Sequence, residues 1–144
     1  MTDGDEGSVS DRPEIDTEVE AVVDRFFTAF TDGAEHTEAI LTEVLLPEAV
    51  IVSAAGGLTV YDVRAFTEPR VALLRSGTLA GFREWRTEGR TGLFGDVAQH
   101  WRSYAKAWTQ DGVERHGAGT KSLQLVRTSA GWRISAVLWD DERA

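Results

Sequence analysis

Between Leu79 and Trp139 the chain reads as four strand-forming segments separated only by short turn signals. Connections that short join neighbouring strands antiparallel, because a parallel pair needs a crossover of a dozen or more residues. "LAGFREWRTEGRTGLF" is a long, partly irregular strand whose glycines suggest bulges or bends. Gly95-Asp96 turns it into "VAQHWRSYAKAW". Asp111-Gly112 turns again towards "GTKSLQLVR", and "TSAG" leads into "WRISAVLW".

The first half has a different period. Ile15, Val19, Val22, Val23, Phe26, Phe27 and Phe30 fall on one helical stripe. Asp11 and Glu14 have capping-box spacing, Pro13 suits a first turn, and Gly33 can supply a left-handed stop. A shorter helix carries Ile40, Leu41, Val44 and Leu45 and ends at Pro47. "EAVIVSA" is a β-branched strand, Gly56-Gly57 turns the chain, and "LTVY" is extended. Asp62 caps a third helix with Val63, Phe66, Val71 and Leu74, which Pro69 should kink or split and Gly77 closes. Helices followed by a meander give an α+β layout, with the helices on one face of a curved, mostly antiparallel sheet. A long bent sheet with a long helix across its mouth makes a cone, and a cone has an interior. Residues 13–142 read as a single domain behind an acidic stretch, residues 1–12, that reads as disordered.

Composition narrows the function classes. A formal charge of −9 argues against nucleic acid and against anionic membranes, since phosphate contacts need a basic surface. No apolar run approaches the ~20 residues of a membrane span, and the acidic N-terminus has no secretory character. The absence of cysteine removes disulfides and thiol catalysis and makes a cytoplasmic setting the expectation. His36, His100 and His116 lack metal-ligand spacing, and there is no HExxH, no GxSxG and no GxGxxG. No metal and no nicotinamide or nucleotide cofactor is implied.

"VVDRFFTAFTDG", "LLPEAVIVS", "FGDVAQHWRSYAKA" and above all "GAGTKSLQLVRTSAGWRISAVLWDDE" resemble the nuclear transport factor two-like superfamily over residues 15–142. That group includes ketosteroid isomerases, SnoaL-like polyketide cyclases and scytalone dehydratases, and the match looks most like its uncharacterised SnoaL-like bacterial members. The resemblance implies a cystatin-like cone, and the apolar patch that Trp101 and its neighbours would leave on the outer face of the sheet points to dimerisation there. The resemblance identifies a fold and not a chemistry, since the fold hosts many functions. The isomerases of this superfamily carry a first-helix tyrosine, matched here by Phe26, and a catalytic aspartate, matched at about Ser53. Their second aspartate lies in the strand that here reads "KSLQLV", without a carboxylate. Isomerisation by that residue set is therefore excluded. The dehydratase pattern of two histidines and an aspartate is not matched.

The strand from Val97 to Trp108 decides the candidate site. The resemblance directs Ala98, His100, Arg102 and Tyr104 into the cone, whereas periodicity slightly prefers the face of Val97, Trp101 and Ala105. We follow the first choice. His100, with an ordinary pKa near ~6.5, is then the acid–base candidate, and Tyr104 a hydrogen-bond donor to a ligand oxygen. Arg102 is an anchor for an anionic group of a ligand and itself demands a carboxylate, with Asp140, Glu84 and Glu88 as candidate partners. Phe26, Phe30, Trp85, Gln124 and Asp140 complete the expected ligand contacts. An outward Trp101 would anchor a homodimer. The expected function is binding of a small hydrophobic or aromatic molecule. The alternative is a cofactor-independent enzyme of dehydratase, cyclase, isomerase or hydrolase type.

Overall fold

A computed structural model of the chain describes residues 13–31 and 33–142, with side chains from residue 17 onward. The acidic stretch 1–12, the Asp11 cap and the Glu14 and Ile15 side chains lie outside the described residues. The apolar stripe forms α1 (Pro13–Thr28), burying Val19, Val23, Phe26 and Phe27. The helix ends earlier than Gly33, because the Thr28 and Thr31 hydroxyls donate to the carbonyls of Arg25 and Thr28 and close a turn. Gly33, at φ 93° and ψ 136°, instead opens α2 (Ala34–Val44). Arg25 on α1 ties to Glu43 on α2 at 2.7 Å.

Leu45 begins β1 (Leu45–Ser53), so Pro47 lies inside a strand and does not terminate the helix. The ladder is irregular between Leu45 and Val50, and there a residue without an N–H costs no regular bond. β2 (Thr59–Tyr61) folds back on β1. α3 (Val63–Ser76) starts where the Asp62 carboxylate accepts the Ala65 N–H at 2.8 Å and stops at left-handed Gly77. Pro69 does not split it. Phe66, Thr67 and Val71 are buried on both sides of the proline and hold the turns together.

The meander follows as β3 (Ala80–Phe94), β4 (Val97–Gln110), β5 (Val113–Thr128) and β6 (Gly131–Asp141). Asp111 and Gly112 both take positive φ, 55° and 77°, as a tight hairpin requires. The six strands form one sheet in the order β2-β1-β6-β5-β4-β3, antiparallel except for β1 against β6. β3 gains a residue between Arg86 and Gly89, and β6 between Ile134 and Ala136. Such bulges bend a sheet. The inner face of β4 is that of Ala98, His100, Arg102 and Tyr104, all buried, while Val97 and Trp101 are exposed. Contacts with α1 hold that face inward, Arg102 bonding to Glu20 and Tyr104 packing against Phe27, and this outweighs the weak apolar preference of the other face.

Candidate functional site

The interior left between α1, α3 and the sheet is a cavity of about 400 Å³. Its walls are largely apolar, with aromatic rings prominent among them. Phe26, Phe30, Phe66 and Trp139 meet edge to face in sequence at 5.9, 6.0 and 5.9 Å between ring centres. Phe82 and Leu74 close the side towards β3 and α3. Arg70 stacks on Phe66 at 4.1 Å and donates to its carbonyl at 3.0 Å.

The other end of the cavity is polar. Glu84 on β3 pairs with Lys121 on β5 at 3.1 Å, and both side chains are buried. Lys106 on β4 pairs with Asp141 at the end of β6 at 3.2 Å. The Tyr104 hydroxyl donates to the same Asp141 at 2.5 Å. Lys121 Nζ lies 3.9 Å from the centre of the Tyr104 ring. β5 allows this crowding because Gly117 and Gly119 face β4. A Cβ at Gly117 would stand 2.8 Å from Lys106 Cε, and one at Gly119 would collide with the Tyr104 hydroxyl. Burial pushes the Lys121 ammonium below the ordinary lysine range, and the Glu84 carboxylate opposes that shift. Burial and the bond to Asp141 both raise the Tyr104 phenol, so it remains a donor.

A second polar cluster lies nearer the β3–β4 turn, under α1. Glu20 accepts from Arg86 at 2.8 Å, from Arg102 at 2.9 Å and from Thr91 at 3.0 Å. Arg86 also pairs with Asp24 at 2.6 Å. His100, 0% exposed, completes the ring, 2.7 Å from Thr91 through Nδ1 and 3.0 Å from Arg102 through Nε2. Arginine can only donate, so Nε2 accepts and the proton sits on Nδ1. Burial lowers the His100 pKa to about 4, Glu20 opposing and Arg102 and Arg86 assisting. Gly89 faces Arg102 across the bulge, and a Cβ there would stand 2.7 Å from its Nε.

This arrangement of helices on a bent sheet recurs in solved structures. A nuclear transport factor 2-like superfamily protein from Salmonella enterica superposes with a TM-score of 0.76 at 13% identity, covering 92% of this chain and 94% of the other. The chain has a nuclear transport factor 2-like, cystatin-like fold. An NTF2-like protein with a cystatin-like fold from Novosphingobium aromaticivorans gives 0.68 at 15% identity, covering 90% and 82% of the two chains. A hexachlorocyclohexane dehydrochlorinase gives 0.74 at 10% identity, covering 92% and 88%. No family model and no curated protein matches the sequence.

Within the NTF2-like fold the expected site residues separate. Phe26 and Phe30 line the cavity, as does Ser53. His100 and Tyr104 are buried but do not line it, and the Tyr104 hydroxyl is engaged by Asp141. Arg102 is paired, but with Glu20 of α1 and not with Asp140, Glu84 or Glu88. Glu84 pairs with Lys121 instead. Trp85 is exposed and lies outside the cavity wall. Gln124 is also exposed, because its neighbours Leu123 and Leu125 take the inner face of β5. Asp140 is one residue out of phase, and Asp141 faces the cavity in its place. Glu20, Lys106 and Lys121 went unassigned. Glu20 and Asp24 stand one helical turn apart beside the apolar stripe, and that spacing was a signal for a charged partner. The lysines carried a plainer one: they are the only two in the chain, against thirteen arginines. Among the described residues no cluster of side chains suits a metal ion, and no helix is long and apolar enough to cross a membrane.

Proposed function

We propose that the cavity binds a small, mostly apolar or aromatic molecule carrying one polar group. The observation that carries this reading is the division of the cavity's lining. Rings of Phe26, Phe30, Phe66 and Trp139 offer apolar contact, while Lys106, Lys121, Glu84 and Asp141 offer donors and acceptors at one end. Pockets with apolar walls and a few convergent polar groups are the usual form of a small-molecule site. A thermal-shift screen over phenols, aromatic aldehydes, small carboxylates and steroids tests it. A true ligand at a hundred times its Kd adds about 2.7 kcal/mol of stability. The response should vanish in Leu74→Trp, which fills the cavity. A response that survives this change, or no response from any compound, overturns the reading.

Cofactor-independent catalysis is the second reading. The ammonium–carboxylate pairs within the cavity favour it, since they can move protons at a bound molecule. A solved structure of similar fold is named a dehydrochlorinase, which shows that the architecture accommodates elimination chemistry in that protein. His100 is no longer the acid–base group in this reading, because its ring is enclosed by Thr91 and Arg102.

We further propose a homodimer through the outer sheet face. Trp101 is 44% exposed and Leu138 45%, and both neighbour Ser122 across the ladder. Phe94 and Val97, a cross-strand pair, extend the apolar surface. Aromatic anchors of this kind carry about 2 kcal/mol of association. Trp101→Asp should therefore weaken the dimer at least about tenfold by sedimentation velocity. A monomeric parent protein ends the proposal. A cytoplasmic setting is supported by the lack of cysteine.

A further inference from the structure

The chain has fifteen basic residues, of which thirteen are arginine and two are lysine. Both lysines, Lys106 and Lys121, line the one cavity described above. Arginine serves at the surface and in the cluster under α1, apart from Arg70, which lines the cavity and is held against Phe66. Only lysine can give up its proton and act as a nucleophile near neutral pH.

The surroundings of Lys121 suit that chemistry. Its amine is flanked by the rings of Tyr104 at 3.9 Å, Trp139 at 4.9 Å and Phe27 at 5.7 Å, and its side chain is only 8% exposed. Glu84, 3.1 Å away, is a carboxylate within proton-transfer reach. Lys106 differs: it is more exposed, and its nitrogen approaches both oxygens of Asp141.

We propose that Lys121 captures carbonyl compounds, condensing with an aromatic or apolar aldehyde or ketone in the cavity to form a reversible iminium. This rests on the cavity being a site for an apolar guest. Glu84 takes a proton from the ammonium and frees the nitrogen lone pair. Nitrogen attacks the carbonyl carbon, a C–N bond forms, and the C=O π pair moves to oxygen. Glu84 delivers its proton to that oxygen, then carries a second one from nitrogen to the new hydroxyl. The C–O bond breaks, water leaves, and the nitrogen lone pair completes the C=N bond. Of the three ammonium hydrogens, two depart in the water and one stays on the iminium nitrogen. Glu84 ends as it began, a carboxylate. Burial already pushes the Lys121 ammonium towards losing its proton, against the pull of Glu84.

The test uses the full chain with benzaldehyde and sodium cyanoborohydride, which reduces an iminium to a stable benzyl amine. Peptide mass spectrometry then locates the adduct among only two lysines and the terminal amine. Benzyl alcohol, of the same shape but without the carbonyl, reports non-covalent occupancy by thermal shift. The expected result is an adduct at Lys121 at least about tenfold above Lys106, suppressed by benzyl alcohol and slowed about a hundredfold in Glu84→Gln. Stabilisation by benzyl alcohol without an adduct at Lys121 overturns the carbonyl chemistry and leaves the binding reading intact. Labelling chiefly at Lys106 or the terminal amine overturns the assignment. Neither stabilisation nor adduct overturns both.

Discussion

Strand β4 feeds two buried ionic clusters that differ in nearly every respect. Near the β3–β4 turn, His100 and Arg102 join Glu20, Arg86 and Thr91 in a ring of bonds closed over by α1. Further along the same face, Tyr104 and Lys106 join Asp141, beside Lys121 and Glu84, and this group opens on the cavity. The first cluster uses planar, always-charged guanidinium groups that can share a single carboxylate. The second uses ammonium groups, whose protons can move. The contrast separates two tasks on one strand. One cluster fastens the long helix to the sheet, and the other presents chemistry to whatever fills the interior.

The largest effect should come from Glu20→Ala. It leaves the guanidinium of Arg102, 11% exposed, without its carboxylate. Removing one partner of a fully buried pair costs about 3–5 kcal/mol, and Glu20, itself 33% exposed, sets the expectation at the lower end of that range. Urea unfolding measures this, and a loss below about 1 kcal/mol would mean that the cluster does not fasten α1. Next comes pH. His100 has its folded pKa lowered from 6.5 to about 4, so between these values the unfolded chain binds the extra proton. Its contribution is complete above pH 6.5 and disappears as pH falls towards 4. This amounts to roughly 3 kcal/mol. Glu20 acts lower in the same direction: burial raises its pKa, but the Arg86 bond, His100, Thr91 and Arg102 together hold it below 4.5. Denaturant titrations should show wild-type stability falling from pH 6.5. In His100→Gln the decline should start only near pH 4.5, and an unchanged curve would remove His100 as its source. The smallest effect sharpens the contrast most. Gly89→Ala forces a methyl onto the Trp101 carbonyl and the Arg102 guanidinium. It should cost about 2 kcal/mol. Gly117→Ala meets only the flexible side chain of Lys106, from Cγ to Cε. It should cost less than about 1 kcal/mol while altering ligand response in the thermal-shift screen. Equal costs would show that the two clusters are equally rigid.

The legible parts of the sequence were those set by local pattern. The stripe from Val19 to Phe30, the Asp62 cap and the Asp111-Gly112 turn each depend on neighbours a few residues away. Pro47 misled because its tolerance comes from an irregular ladder with β6, some ninety residues later. The partner of Arg102 was hidden for the same reason, since Glu20 lies 82 residues before it. The choice between Asp140 and Asp141 turned on the phase of β6, which the extra residue near Ser135 shifts by one. Trp85 sits on a strand that reads as partly irregular, and Gln124 on one that alternates clearly, but which face of each turns inward is decided by packing against distant elements.

Sheet order also bears on how the molecule is made. β6 is the last of the six described strands to be synthesised, yet it lies between β1 and β5. Until it inserts, the β1–β2 hairpin and the β3–β5 ribbon share no ladder, and the Leu45-to-Ser53 edge has no partner beyond β2. Joining them closes a loop spanning most of the chain, an event slowed by the entropy of bringing distant segments together. A nascent polypeptide stalled before Gly131 would hold two half-built walls and no chamber, with both raw edges free to find one another on a neighbouring molecule.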